Sequence, residues 1–249
     1  MNEDLVAIVI PIYQKVLSPF EDISLKQCLK VLGNYPVYFV KGNSLDADYL
    51  KNYTQTPSFE LFEDSFFEST TSYNRLMIDL DFYARFKKYK FILIYQLDAF
   101  VFQDNLKYWC EKDYDYIGAP KLKLNNWLDF KNNKISSKPI TLATPLLNGG
   151  LSLRKVKPIT QFLKIFHFFF SKLITNEDTL FSVYHRREFL MRPFIKLPQW
   201  FEALPFAFEQ NPTICFEVNN NELPFGCHAW ERYDKAFWRE MFKENGYEI

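Results

Sequence analysis

Residues 91–102, FILIYQLDAFVF, set one carboxylate inside a run that is otherwise aromatic, aliphatic or β-branched apart from Gln96. Such a run reads as a buried strand, and an ionised Asp98 within it is costly to desolvate unless it is paired or opens onto a site. A strand of this kind needs covering layers, and the flanking sequence supplies them. VAIVIPIY (6–13) reads as a first buried strand and PVYFVKGN (36–43) as a second. Between them Leu25, Cys28, Leu29 and Leu32 recur at helical spacing up to Gly33. After Ser and Thr caps, Tyr73, Leu76, Met77, Leu80, Tyr83 and Ala84 trace one face of a single predicted helix that leads into the opening run. Strands alternating with helices predict an α/β sheet with its ligand at the strand C-termini.

Downstream, LKYWCEKDYDYIGAP predicts a short helix and a strand, and the polar stretch 121–139 a mobile loop. NGGLSLRK restarts a strand at Leu151, followed by a helix over about 156–172. NEDTLFSVYHRR has acids in the first turn of a helix, and DKAFWREMFKEN is a C-terminal helix. No internal repeat or low-complexity linker interrupts the chain, so residues 1–249 are expected to form one domain.

Lys plus Arg equals Asp plus Glu, and a chain without a basic excess is a poor general nucleic-acid binder. Cys28, Cys110, Cys215 and Cys227 are scattered without CxxC spacing, which excludes a zinc framework or a dense disulfide scaffold. MNEDLVAIVIPIYQ lacks the basic start and cleavage site of a signal peptide, so a cytoplasmic protein is expected. FLKIFHFFF (162–170) is too short to span a bilayer. With Lys164 and Lys172 nearby it could lie on a membrane surface, but its apolar character on almost every side favours a core helix.

Four clusters carry candidate chemistry. Asp98 follows a buried strand and could hold a divalent cation; a local cap or Lys partner is the bland alternative. Asn148, Gly149 and Gly150 precede a strand, where paired glycines permit positive φ and close backbone approach, as in any turn. Glu177 and Asp178 stand at a helix start, where capping is the ordinary explanation. His228 lies between Gly226 and Trp230, a setting more often structural than ligating.

Taken in order, QLD, NGG, NED and CHAW resemble the motifs of GT-A glycosyltransferases: an Asp-x-Asp metal motif, a glycine loop, an x-Glu-Asp motif and a C-terminal metal-binding His. VAIVIPIY resembles that superfamily's nucleotide-binding first strand. A more specific resemblance, through YQLDAFVF, DYIGAP, NGGLSLR, NED and PFGCHAW, is to a glycosyltransferase-like bacterial family of unknown function, over residues 6 to 230. It implies a GT-A-like (Rossmann-like) mixed sheet flanked by helices, and transfer of a sugar from a nucleotide-diphosphate-sugar to a hydroxyl of a glycan or lipid-linked acceptor. Surface polysaccharide or glycoconjugate synthesis is the implied setting, with peripheral contact at the inner membrane face a further expectation.

By the same resemblance, Asp98 and His228 would hold Mn²⁺ or Mg²⁺, and Pro11, Tyr13, Arg75, Gln96 and Asp98 would meet the donor. Asn148, Gly149, Gly150 and Trp230 would meet the acceptor. Asp178 would be the general base, with Glu177 beside it at the helix start, whose N–H groups are expected to lower the Asp178 pKa. Gln96 stands where many relatives carry the first Asp, and it brings no charge to a metal. A glycan- or nucleotide-sugar-binding protein that has lost turnover is the alternative from another class, and a metal-dependent phosphotransferase or hydrolase a third.

Overall fold

The computed structural model describes residues 4–129, 134–140, 146–170, 176–184 and 195–249. Strand β1 (Asp4–Pro11) is buried from Val6 onward. It leads to helix α1 (Pro19–Leu32), which starts on a capping box of Ser18 and Glu21 with Pro19 in its first turn. Strands β2 (Val37–Gly42) and β3 (Ser58–Phe62) add outward from β1, each parallel to its neighbour.

Helices α2 (Thr70–Met77) and α3 (Leu80–Arg85) occupy the stretch where periodicity predicts one helix. Asp79 breaks it by accepting the Asp81 N–H and capping a new start. The change of axis puts Phe82 and Tyr83 inside and leaves Ala84, placed on the apolar face by the single-helix reading, exposed.

The chain returns as β4 (Tyr89–Tyr95), parallel to β1 on the side away from β2. It continues through β5 (Ala99–Val101), helix α4 (Leu106–Glu111) and β6 (Tyr116–Pro120). Strands β7 (Lys123–Asp129) and β8 (Lys134–Ile140) form an antiparallel hairpin where the sequence predicts a loop. Main-chain pairing needs no apolar alternation, so a polar ribbon leaves little trace in the pattern. Strand β9 (Leu147–Lys155) is antiparallel to both β4 and β6, with a bulge opposite Gly118 and Ala119. It starts four residues before Leu151, so the NGG segment lies within the strand.

The six-stranded order is β3-β2-β1-β4-β9-β6, a mixed sheet flanked by helices, as expected for the α/β class. Helix α5 (Val156–Phe170) packs Ile159, Phe162, Leu163 and Phe166 inward. It is not the all-round core helix of the sequence reading: Phe168 is 80% and Phe169 54% exposed, because the buried stripe turns away at its last turn. Among the described residues no helix is long and apolar enough to cross a membrane.

A short α6 (Glu177–Thr179) runs into a π-helical turn (Leu180–Tyr184). The C-terminal part supplies α7 (Trp200–Ala203), β10 (Ala207–Phe208), α8 (Pro212–Val218), β11 (Gly226–His228) and α9 (Lys235–Glu244). Strands β10, β11 and β5 form a second sheet, backed by an aromatic cluster of Phe100, Trp230, Trp238 and Phe242.

Candidate active site

Strand order reverses between β1 and β4, which opens a crevice at the C-terminal ends of both. Being antiparallel, β9 brings its first residues to that edge, and the Gln96 N–H is held by the Gly150 carbonyl at 2.9 Å. Strand β11 pairs antiparallel with β5 so that His228 faces Ala99, the residue after Asp98. Two sheets thus deliver Asp98, His228 and the NGG segment to one cavity of about 670 Å³.

Within it, Nε2 of His228 lies 3.0 Å from Oδ1 of Asp98 and 3.3 Å from Oε1 of Gln96. Burial pulls the imidazole toward its neutral form, but Asp98 and Glu209 outweigh that and carry its pKa up to about 10. Burial likewise raises Asp98, yet His228 and then Arg232 hold its carboxyl below the ordinary value. Neither Gly149 nor Gly150 has positive φ. The glycines serve close approach instead: a Cβ on Gly150 would overlap the His228 ring, and one on Gly149 would overlap Oε1 of Glu177 and stand 2.7 Å from Oδ1 of Asp178.

Glu177 and Asp178 begin α6 as expected, but their environments invert the simple capping picture. Glu177 is buried and ion-paired with the fully buried Arg154, 2.7 Å from Nη1. Arg154 also donates to Ser152, Tyr83 and the Gly149 carbonyl. Asp178 is pushed up to about 7, by burial first and by the Glu177 charge second, against the lowering expected from a helix start. A three-residue helix offers little macrodipole, and loss of hydration wins. Oδ1 of Asp178 is buried without a hydrogen-bond partner among the described residues, whereas Oδ1 of Asp98 has the His228 imidazole as its partner.

The other expected site residues divide. Tyr13 lines the cavity mouth, edge-on to Tyr73 at 5.6 Å and against Phe67 at 6.1 Å. Asn148 lines the wall, donating to Glu209 at 3.2 Å and accepting from the Gly150 N–H at 2.8 Å. Pro11 is buried at the end of β1 and does not reach the cavity lining. Arg75 is exposed on α2, and its neighbour Asn74 lines the cavity instead. Trp230, expected at the acceptor, is instead fully buried against Phe20 and Phe242 and does not line the cavity.

Sequence reading missed Arg154 and Glu209. Arg154 had a signal: in LSLRK both faces of the strand are buried, so its charge required an internal partner. Glu209 had none, since it follows a two-residue strand whose neighbour only the tertiary fold defines.

The family model described as Protein of unknown function (DUF5672) matches residues 56–228. The chain belongs to this family. The DUF5672 segment runs from just before β3 to the end of β11 and therefore contains Asp98, Asn148–Gly150, Glu177, Asp178, Glu209 and His228, with Tyr13 outside it. A comparison with curated proteins gives no match. Among solved structures the chain is similar to a glycosyltransferase involved in glycosylation of the major capsid of PBCV-1, with TM-score 0.47 and 11% identity over 96% of this chain and 99% of that one. It is also similar to 4-diphosphocytidyl-2C-methyl-D-erythritol synthase from Anaerococcus prevotii DSM 20548, with TM-score 0.43 and 12% identity over 72% and 83%. A third likeness is to CMP:2-keto-3-deoxy-manno-octonic acid synthetase complexed with CTP, with TM-score 0.41 and 12% identity over 77% and 87%.

Proposed function

We propose that this DUF5672 protein transfers a sugar from a nucleotide-diphosphate-sugar to an acceptor hydroxyl. The observation that carries the reading is the placement of Asp178: its Oδ1 is buried without a hydrogen-bond partner among the described residues, across the Gly149 backbone in a cavity that also holds Asp98 and His228, and burial raises its pKa. A general base works best when its pKa matches the operating pH. Asp178 would take the proton of the acceptor hydroxyl as that oxygen bonds to the anomeric carbon. The bond from that carbon to the diphosphate breaks with inversion, and the electron pair leaves with the diphosphate. Gly149 and Gly150 keep the wall low enough for the acceptor to approach, and Tyr13 with Tyr73 offers an aromatic surface at the donor end.

Among the described residues no group of three or more His, Cys, Asp or Glu is placed to hold a metal ion, so a divalent cation would take only Asp98 and His228 from the protein and its remaining ligands from the diphosphate and water. Two neighbouring ligands of an octahedral ion, each at about 2.1 Å, stand about 3.0 Å apart, and Asp98 Oδ1 and His228 Nε2 have that separation. A further reason is charge: Glu21, Asp98, Glu177, Asp178, Glu209 and Glu231 line the cavity; Arg154 pairs with Glu177, and among the lining residues only Arg232 and His228 oppose the rest. A diphosphate entering such a wall needs added positive charge. Mn²⁺ or Mg²⁺ held by Asp98 and His228 would act as a Lewis acid on the departing diphosphate.

A thermal-shift screen of nucleotide diphosphates with and without Mn²⁺ tests the reading, followed by calorimetry on Asp98→Asn. Nucleotide with Mn²⁺ is expected to stabilise the wild type by about 2.7 kcal/mol at a hundredfold excess over Kd. The gain should vanish in a folded Asp98→Asn protein, and wild type with the matching nucleotide-sugar should release nucleotide. Binding without release would favour a binding protein on the same fold; no nucleotide binding would overturn the proposal.

A further inference from the structure

We propose that Glu209 is a positioning residue that holds His228 toward Asp98 and ties it to the glycine wall, an inference that rests on the metal-binding reading of the site. Glu209 directly follows β10, and the parallel register Phe208 to Cys227 makes it the cross-strand neighbour of His228. Its Oε1 lies 3.7 Å from Nδ1 of His228 and accepts from Nδ2 of Asn148 at 3.2 Å. Nδ1 is buried without a hydrogen-bond partner among the described residues, while Nε2 faces Asp98 and Gln96. The ring packs directly on the Gly150 backbone, where a Cβ would overlap it.

A purely structural role for Glu209 explains less. Its side chain is 11% exposed, and the single bond from the Asn148 amide is a weak return for desolvating a carboxylate. A neutral Gln would serve Asn148 equally well. What requires an acid is the imidazole, whose far nitrogen needs an acceptor if the near one is to face a cation. A carboxylate behind a metal-facing histidine fixes the ring orientation and raises its strength as a ligand, and losing it typically weakens metal binding about 10–100-fold. Through Asn148 and the Gly150 N–H, the same carboxylate sets the wall against which the ring packs.

The test uses the whole protein, Mn²⁺ alone, and Glu209→Gln, which keeps shape and the acceptor for Asn148 while removing the charge. Mn²⁺ affinity by calorimetry should fall about 10–100-fold, and the ¹⁵N shift of His228 Nδ1, assigned against His228→Asn, should move. Asn148→Ala, which removes the bonds to Glu209 and to the Gly150 N–H but leaves the Glu209 charge behind the ring, should weaken Mn²⁺ binding less. Unchanged affinity together with an unchanged Nδ1 shift in Glu209→Gln would overturn the proposal. If wild type binds no Mn²⁺, the metal reading fails by itself, and the Nδ1 shift still decides whether Glu209 holds the ring. Should Glu209→Gln not fold, Glu209→Asp, which withdraws the carboxylate by one methylene, replaces it, with the same Nδ1 readout required to move.

Discussion

His228 stands 3.0 Å from Asp98 because β11 and β5 pair antiparallel, setting His228 against Ala99. Neither residue would be charged in an apolar setting on its own account. Each stabilises the ionised form of the other, which outweighs burial and carries the His228 pKa up to about 10.

A cation that binds Nε2 must displace its proton. Mn²⁺ affinity is therefore expected to rise with pH across 6 to 9, by about tenfold per unit for one proton released. Calorimetry at several pH values in buffers of different ionisation enthalpy measures both the slope and the proton count. A flat profile would remove His228 from the metal site.

Asp178→Asn should lower transfer by roughly 10²-fold or more while leaving Mn²⁺-nucleotide binding nearly intact. In the wild type the base is the ionised form, so at saturating Mn²⁺ the rate should climb with pH to about 7 and then level off. Stability has the opposite sign. Between the ordinary carboxylate pKa and about 7 the folded chain holds a proton that the unfolded chain has lost, so stability falls as pH rises through that window. Asp178→Asn should accordingly be more stable than wild type at pH 8, by about 1–3 kcal/mol in urea denaturation.

Arg154 and Glu177 form a buried pair, and breaking it from one side strands a charge. Arg154→Met is expected to cost about 3–5 kcal/mol, whereas Arg154→Met with Glu177→Leu should recover most of that loss. A double-mutant cycle in urea reads the coupling. Equal losses in the single and double variants would mean that packing, and not charge, dominates there.

Gly150→Ala should displace the His228 ring, since no space exists for the added carbon. A destabilisation of about 1–3 kcal/mol is expected from overpacking, with a larger fractional loss in Mn²⁺ affinity than Gly149→Ala shows. Parallel thermal melts and metal titrations of the two variants make the comparison.

Phe168 and Phe169 are exposed on α5, so Phe168→Ser with Phe169→Ser should alter stability by less than about 0.5 kcal/mol. A core helix would lose several times more. Flotation of wild type and this variant with anionic liposomes reads whether the two rings also provide a membrane contact, and binding that disappears in the folded variant would establish one.

The amino-acid sequence alone marked the long buried strands of the main sheet and the α/β class, but not β3, the β7–β8 hairpin, β10 or β11. Runs such as VAIVIPIY and FILIY have few low-energy alternatives to a covered sheet, and a carboxylate at the end of one must find a partner or a site. It also placed Asp98 after a strand, Asn148 just before one and Asp178 at a helix start. Only the tertiary structure decided which of them meet. The register of β11 on β5 and β10 set His228 between Asp98 and Glu209, and the antiparallel β9 brought two glycines against that ring and against Asp178. The broken helix at Asp79, the full burial of Trp230 and the exposure of Arg75 were decided in the same way. So was the sign of the Asp178 shift: local sequence favours ionisation, but burial and the neighbouring Glu177 oppose it. Hydrophobic periodicity is a local property, whereas desolvation and charge pairing depend on chain segments brought together from far apart in sequence.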